Sequence, residues 1–272
     1  GLEAACTAAE VGCNTFLLEE KETLGGLAAE ISKIPAKKRL ADFPHYLEHR
    51  AAGLDNLYIF TGTQATPDNI RKFHPNLIVN ATGSGPLLPP IKGLMDNIDK
   101  EGGNVYSILG MIHHINDFPQ DLEGKKVVVI GGGAVGLDVV EFFAARKADI
   151  SIVEMMDQIG RDLDPVTKND MKCQMKAHGV HQLTKTALLE VKEHSFLVKG
   201  SEGEYELPFD YGFVCLGMRA KGQLYPQLLE AFADDDVEII NIGDSQRARR
   251  IIDGTMEGRN ILYHLTQRGY LD

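Results

Sequence analysis

The pattern of apolar and polar positions is most regular from Val127 to Glu154. The first four residues are β-branched, which is typical of a strand buried on both faces. Three glycines follow, and apolar residues then recur at helical spacing. A second apolar run covers residues 150–153 and is followed by the acidic residue Glu154. The pattern therefore predicts a strand, a tight turn, a helix and a second strand.

The three glycines have the spacing of a dinucleotide-binding turn. Gly131 permits the tight turn, Gly133 lets a pyrophosphate approach the backbone, and Gly136 lets the helix pack closely on the strand. The start of the helix, with Ala134 and Val135, presents free amides to phosphates. The acid that ends the second strand can accept hydrogen bonds from a ribose diol. The complete order of these parts favours a nucleotide site over a structural glycine turn.

The beginning of the chain repeats this unit. Gly1 to Glu19 and Gly136 to Glu154 both begin Gly-Leu-acid and both end with an apolar strand and a glutamate. In both segments eighteen positions separate the first glycine from the glutamate. This internal repeat indicates two copies of the nucleotide-binding half-motif. Gly1 corresponds to the third glycine, so the first strand and the first two glycines are missing from this copy. We therefore expect a fragment of a longer polypeptide; a helix that merely begins the protein is the alternative.

Small residues follow two further predicted strands. One strand leads into Ala81, Thr82 and Gly83, and a similar one leads into Gly217. Gly83 lies 82 positions after Gly1, and Gly217 lies 81 positions after Gly136, so the repeat spans whole domains. Ligands of open α/β sheets bind at the carboxyl ends of strands. Between Gly83 and Gly217, residues 180–207 are predicted to form a meander of short strands.

Two more turns are candidate ligand contacts. Gly25 and Gly26 follow the first acidic strand end, where they can let the backbone approach a ligand. A late strand ends at Gly243 and Asp244. Asp244 can hold a ribityl hydroxyl, and Gly243 with the following helix can hold a phosphate. An ordinary strand-to-helix turn with an N-cap aspartate is equally compatible with this pattern.

Composition narrows the function class. The formal charge of -11 argues against nucleic acid and anionic membranes as partners. No apolar run reaches the roughly 18 residues of a membrane helix, and no secretory signal is visible. Adjacent histidines on a helix do not share a face, so His113 and His114 are not interpreted as metal ligands. The four cysteines are scattered along the chain, and we interpret them as reduced thiols of a cytoplasmic protein: Cys6, Cys13, Cys173 and Cys215.

The residues around the second acid predict the choice of nucleotide. A cofactor with a 2′-phosphate needs Arg or Lys close to the end of this strand. Glu154 would repel that phosphate, and Met155 and Met156 add no charge. Arg161 is a later candidate. NADH is therefore predicted over NADPH.

The order of these elements resembles the two-dinucleotide-binding-domain flavoproteins of the glutathione reductase type. The resemblance implies an α/β fold of two Rossmann-like βαβ domains, with an FAD domain at residues 1–105 and 223–272 and an inserted NAD(H) domain at residues 106–222. It implies that Glu19 binds the adenosine ribose of FAD and that Asp244 contacts the ribityl-phosphate region. The residues implied to bind the cofactors are Gly1, Glu19, Glu20, Gly25, Gly26, Ala81, Thr82, Gly83, Gly131, Gly133, Ala134, Val135, Gly136, Glu154, Gly217, Gly243 and Asp244.

One difference from the glutathione reductase type indicates a narrower group of similar proteins. The disulfide reductases carry a redox cysteine pair soon after the first acidic strand, but residues 28–38 contain no cysteine. The segments from Leu24 to Leu47 and from Ala81 to Gly93 resemble the carboxyl-terminal part of the 2,4-dienoyl-CoA reductase and enoate reductase group. In that group an amino-terminal Old Yellow Enzyme-like barrel holds FMN and the alkene, and a 4Fe-4S centre follows. These cofactors are expected only in the missing amino-terminal part.

The resemblance implies an electron-entry module. NADH would reduce FAD, and electrons would pass to the iron–sulfur centre and FMN, which reduce an activated C=C bond of a 2-enoate or 2,4-dienoyl-CoA. No catalytic acid or base is assigned, because the cofactors carry this chemistry. The alternatives are a structural scaffold that holds ADP in place of FAD, or a stand-alone NADH oxidase or ferredoxin reductase-like enzyme. The implied partners are NADH and the barrel domain of the parent chain, and a homo-oligomer is left open.

Overall fold

The computed structural model of the protein describes residues 1–271, which form two compact units. The first contains residues 1–32, 37–85 and those from 218 on; the second contains residues 33–36 and 86–217. The strands are β1 (Thr15–Leu18), β2 (Leu57–Phe60), β3 (Leu77–Asn80), β4 (Ser84–Pro86), β5 (Val105–Tyr106), β6 (Lys126–Ile130), β7 (Asp149–Val153), β8 (His181–Leu183), β9 (Ala187–Val191), β10 (Ser195–Gly200), β11 (Gly203–Pro208), β12 (Tyr211–Val214), β13 (Met218–Ala220) and β14 (Glu238–Asn241).

The helices vary from four to thirteen residues. None of those within residues 1–271 is both long enough and apolar enough to cross a membrane. Two 3-10 helices cover Pro35–Ala41 and Gly243–Ser245. The α-helices are α1 (Leu2–Glu10), α2 (Gly26–Ile31), α3 (Asp42–Ala52), α4 (Pro67–Arg71), α5 (Leu94–Asn97), α6 (Ile108–His113), α7 (Ala134–Ala144), α8 (Pro165–Ala177), α9 (Leu224–Ala231), α10 (Ile251–Arg259) and α11 (Ile261–Gln267).

A five-stranded parallel sheet lies at the centre of the second unit, in the order β5-β12-β6-β7-β8. Residues 127–130 of β6 are all buried, as their β-branched composition predicts. Helix α7 contacts β6 and β7 and buries Leu137 and Phe143. Val128 and Ile130 instead join a core cluster with residues of a three-stranded antiparallel sheet, β11-β10-β9. Both faces of β6 are therefore covered, which fixes the turn that follows it.

The prediction of a meander over residues 180–207 is wrong for its first strand. β8 pairs in parallel with β7, with Leu183 opposite Val153, and only β9, β10 and β11 form an antiparallel sheet. Three residues are too few to distinguish a sheet edge from a meander by their apolar pattern. This pairing places the end of β8 beside Glu154.

The first unit is built on pairs of strands. β1 pairs with β2 and β3 pairs with β14, both in parallel, while β4 pairs with β13. Helix α1 packs on both parallel pairs. Ala4 joins a cluster with Ile240, and Ala5 and Ala9 join another with Leu57. The small side chains of α1 let the helix approach both groups of strands closely.

The two units divide earlier in the chain than predicted. The divisions fall after residues 85 and 217, whereas the sequence places boundaries after residues 105 and 222. Residues 86–104 pack with the second unit because Leu94 is fully buried in its core, in one cluster with Val105 and Val191. The segment before β5 is therefore part of the unit that contains the glycine turn.

A buried carboxylate connects three helices of the first unit. Glu3 of α1 is 5% exposed, and its Oε1 accepts Arg50 Nη1 at 2.9 Å and Arg259 Nε at 2.7 Å. Burial alone would raise the pKa of Glu3, but the hydrogen bonds and charges of the two arginines outweigh it and lower the pKa. A Cβ on Gly258 of α10 would lie 3.1 Å from the Glu3 Cβ, so the helices meet closely there.

We expect Glu3→Gln to lower the free energy of unfolding by about 2 kcal/mol at neutral pH, because it removes the charge that two arginines share. The native pKa is lowered, so this contribution is present above the ordinary carboxylate range and is lost as the pH falls through the lowered value. Urea unfolding followed by circular dichroism should show the two proteins converging in acid. Glu10→Gln is the control: Glu10 also pairs with Arg50 but is exposed, and its loss should cost less than about 1 kcal/mol. Equal losses from the two variants would contradict this role of Glu3.

Candidate functional site

The turn after β6 has the geometry of a nucleotide-binding turn. Gly131 has φ +105° and donates its amide to the carbonyl of Val153 at 2.8 Å. A Cβ on Gly131 would lie 2.2 Å from the carbonyl oxygen of Cys215, and one on Gly136 would lie 1.9 Å from the carbonyl oxygen of Gly131. No side chain fits at either position without moving the backbone.

The start of α7 presents backbone amides that suit an anion. Gly133 is its N-cap and provides no capping side chain, so the amides of Ala134 and Val135 begin the helix. The atoms nearest to a Cβ built on Gly133 belong to Asp162, at 3.5 Å or more. The turn thus leaves backbone amides and space together, which is what a pyrophosphate needs.

Glu154 lies beside this turn. Its Oε2 accepts the amide of Gly132 at 2.7 Å, and its Oε1 accepts the amide of Met156 at 2.8 Å. Its backbone amide donates to Leu183 at 2.9 Å, and its carbonyl accepts the amide of Thr186 at 3.0 Å. Each carboxylate oxygen retains a lone pair for a ribose hydroxyl.

The backbone beyond Glu154 completes this arrangement. Lys185 donates its amide to the carbonyl of Met156 at 2.9 Å and has φ +50°, a left-handed conformation that is uncommon for lysine. The end of β8 is thereby held against the segment after β7 on both sides of the acid.

The first unit repeats these contacts around Glu19. The Glu19 Oε1 accepts the amide of Lys21 at 3.0 Å. The backbone amide of Glu19 donates to the carbonyl of Phe60 at 2.9 Å, and its backbone carbonyl accepts the amide of Thr63 at 2.8 Å. Gly62 donates to the carbonyl of Lys21 at 2.9 Å and has φ +59°, the counterpart of Lys185. The repeat seen in the sequence is therefore also a repeat of hydrogen bonds.

Other predicted contacts of the first unit gather around the end of β3. A Cβ on Gly1 would lie 3.4 Å from the Cβ of Ala81, so α1 begins against this strand end. Gly83 has φ +78° with no atom within 4 Å of a built Cβ, and its carbonyl accepts the amide of Lys221 at 2.9 Å. The Lys221 side chain pairs with Glu20 at 2.7 Å, and its hydrogen bond and charge lower the pKa of Glu20. The Thr82 hydroxyl is 3.5 Å from the carbonyl of the same lysine.

Asp244 is held by protein donors. Its Oδ2 accepts the hydroxyl of Ser84 at 3.0 Å, and its Oδ1 accepts the amide of Arg249 at 3.0 Å. Gly243 has φ +63° and donates its amide to Glu257 Oε2 at 2.5 Å. Asp244 is thus oriented and keeps lone pairs for a ribityl hydroxyl, whereas the Gly243 amide already has a carboxylate partner.

The remaining predicted glycines have separate places. Gly25 has φ +96°, and a Cβ there would meet Ala29 and Pro44 at 2.9 Å. Gly26 has φ +53° and open space around it, and so has Gly217 at φ +102° in the second unit. The structure therefore brings Gly131, Gly133 and Gly136 together with Glu154, and Gly1, Glu20 and Gly83 together around the end of β3.

Some polar residues of these sites escape the sequence analysis: Asp162, Lys221, Ser84, Arg249 and Glu257. Asp162, Lys221 and Ser84 contact partners that lie 28, 201 and 160 positions away in the chain, so no local spacing identifies them. Arg249 and Glu257 lie only 5 and 14 positions from their partners, Asp244 and Gly243, but the apolar pattern of this turn does not indicate these hydrogen bonds. The available signal is the charge of Asp162 and Lys221, which follow soon after predicted strand ends. Among residues 1–271, no three His, Cys, Asp or Glu side chains are grouped as a metal site requires.

Comparison with known proteins identifies relatives over nearly the whole chain. Residues 1–241 match the family described as pyridine nucleotide-disulphide oxidoreductase. The chain is 30% identical over 97% of its length to an NADH oxidase of Thermoanaerobacter brockii, and 28% identical over 95% to a bilirubin reductase of Mediterraneibacter gnavus. It spans only 39% and 38% of these two relatives.

A solved structure of a 2-naphthoyl-CoA reductase with 2-naphthoyl-CoA superimposes with a TM-score of 0.81 at 21% identity, over 96% of this chain and 37% of that one. The family match and the structural likeness confirm the predicted α/β fold with a Rossmann-type parallel sheet.

Gly131→Ala should destabilise the second unit by about 3 kcal/mol or more, because the methyl group adds a clash with the carbonyl of Cys215 to the cost of a left-handed alanine. The matched control is Gly124→Ala, since Gly124 has φ +81° but no atom within 4 Å of a built Cβ; about 1 kcal/mol is expected there. Urea unfolding of both variants measures the difference. Equal destabilisation would show that the carbonyl does not restrict this position.

Proposed function

We propose that this chain, which belongs to the pyridine nucleotide-disulphide oxidoreductase family, is the electron-entry module of a multi-cofactor flavoprotein reductase. NADH binds to the second unit and FAD to the first. Family membership implies FAD and NAD(P)H as the cofactors. The choice of NADH, the assignment of each unit and the onward path of the electrons are our proposal.

The observation that carries the proposal is the paired arrangement around Glu19 and Glu154. In each unit a glutamate follows a parallel strand, and its carboxylate accepts the amide two residues ahead. Such an acid is suited to a ribose diol. Two equivalent acids in two separate units suit two dinucleotides.

The second unit fits NADH. Gly131, Gly133 and Gly136 would receive its pyrophosphate at the start of α7, and Glu154 would hold the adenosine ribose. Met155 and Met156 are exposed and uncharged, so no cation on these two residues would balance a 2′-phosphate. The carboxylate and its neighbours therefore favour NADH over NADPH.

The first unit fits FAD. Glu19 would bind the adenosine ribose, and Asp244, oriented by Ser84 and Arg249, would bind a ribityl hydroxyl. The left-handed Gly26 and Gly83 leave room for a ligand against the backbone. The residues proposed to line this ligand are Gly1, Glu19, Glu20, Gly25, Gly26, Ala81, Thr82, Gly83, Gly243 and Asp244.

The residues of this chain limit which redox chemistry can be proposed. When bound, NADH and FAD supply the hydride transfer, while this chain binds and orients them. No cysteine pair follows Gly26, so reduction of a disulfide at that position is not the reaction we propose. In the proposed function a 4Fe-4S centre and FMN, held by an amino-terminal barrel domain of the parent protein, would supply the onward chemistry, the reduction of an activated C=C bond of a 2-enoate or 2,4-dienoyl-CoA.

A second candidate is an NADH oxidase. It is favoured by the 30% identity to the NADH oxidase of Thermoanaerobacter brockii. In that function the same two units serve, but oxygen rather than an alkene takes the electrons. A third, a scaffold that holds ADP at Glu19, would leave the first unit without redox chemistry.

Cofactor analysis of the purified full-length protein tests the assignment of the first unit. We expect one FAD per chain beside FMN and iron. ADP without FAD would overturn the electron-entry proposal in favour of the scaffold. FAD alone, without FMN and iron, together with oxygen consumption driven by NADH, would favour the oxidase.

Glu154→Ala should weaken NADH binding roughly ten- to a hundredfold, because the ribose loses charged hydrogen bonding worth about 1.5–3 kcal/mol in total. The ratio of NADPH to NADH dissociation constants should also fall, since the charge that repels a 2′-phosphate is removed. Titration of both nucleotides measures this, with Glu193→Gln, an exposed acid of the same unit, as control. Tighter binding of NADPH than NADH by the wild type would overturn the predicted specificity.

A further inference from the structure

The loop between β7 and α8 lies over the glycine turn of the second unit. Gly160 in this loop donates its amide to the carbonyl of Gly132 at 2.7 Å, and Asp164 at its end caps α8. These two contacts hold the loop on either side of Asp162. The Asp162 carboxylate accepts the amide of Ala134, the first residue of α7, at 3.4 Å.

This carboxylate stands where a phosphate is expected. The three nearest atoms to a Cβ built on Gly133 all belong to Asp162, with the two carboxylate oxygens at 3.5 and 3.7 Å. The first amides of a helix attract negative charge because they have no partner within the helix. Asp162 supplies that charge from within the protein, so an approaching pyrophosphate meets both the amides and a like charge.

We propose that Asp162 is an internal competitor of the nucleotide pyrophosphate: it holds the start of α7 in the free protein and turns away when NADH binds. This inference rests on the proposed NADH site. The contact suits release, because 3.4 Å is long for a hydrogen bond and Asp162 is exposed, while Gly160 and Asp164 hold the backbone on both sides. Asp162 thereby weakens nucleotide binding and speeds the release of NAD⁺.

Two substitutions that remove this charge, Asp162→Asn and Asp162→Ser, test the inference in the full-length protein. Both should bind NADH and ADP about three- to tenfold more tightly than the wild type, and the gain should shrink as salt is raised, since it comes from a like-charge contact. Adenosine has no phosphate, so its affinity should not change. Asp157 is an exposed acid of the same loop, so Asp157→Asn removes the same charge and should alter ADP binding less than twofold.

The free protein should respond in the opposite direction. Both Asp162 variants should have a slightly lower melting temperature without nucleotide, because the start of α7 loses a favourable charge. Tighter binding together with lower stability distinguishes a competitor from a purely structural residue, whose loss would weaken both.

Unchanged or weaker ADP binding by both Asp162 variants would overturn the inference, and so would an equal gain for adenosine. If the wild type nevertheless binds NADH as proposed, only the proposed role of Asp162 is wrong. If neither the wild type nor the variants bind NADH or ADP, the proposed nucleotide site itself is wrong, and the inference falls with it.

Discussion

Two backbone carbonyls that occupy the space of a side chain determine the glycine turn after β6 in the second unit. The carbonyl of Cys215 lies against Gly131, and the carbonyl of Gly131 lies against Gly136. The first contact holds the end of β12 against the turn, and the second holds α7 against the end of β6. Both depend on glycine, because any Cβ would approach an oxygen to about 2 Å.

The rest of the site follows from this close packing. With the turn fixed, the amide of Gly132 points to the carboxylate of Glu154, and the amide of Ala134 begins α7 beside Asp162. The acid joins the turn to the second strand, while the loop after that strand returns to cover the turn. Binding of a dinucleotide would then need no rearrangement of the sheet, only a change of partner at the helix start.

The sequence predicts the elements whose residues are close in the chain. The β-branched run of β6, the glycine spacing and Glu154 lie within one continuous segment, and the structure assembles them as the pattern indicates. The place of β8 was not predictable, since three residues leave both pairings open. Lys185 was also not recognisable as the counterpart of Gly62, because two different residue types adopt the same left-handed conformation. Asp162 and Lys221 come from loops whose paths depend on tertiary contacts.

The two halves of the repeat differ in how their acids are surrounded. Near Glu19, a salt bridge between Glu20 and Lys221 holds the segment after β1 to the backbone that follows β3 through Gly83. Near Glu154, the neighbouring exposed side chains are methionines. Similar backbone hydrogen bonds thus support different surroundings for the two acids.

Anaerobic rapid mixing of the FAD-containing full-length protein with NADH measures whether NADH bound at Glu154 reduces FAD bound at Glu19, as we propose. We predict that the absorption band of oxidised flavin is lost in a phase whose rate saturates with NADH, and that NADPH is less effective at equal concentration. A flavin that stays oxidised at saturating NADH would show that this chain does not pass electrons from NADH to FAD.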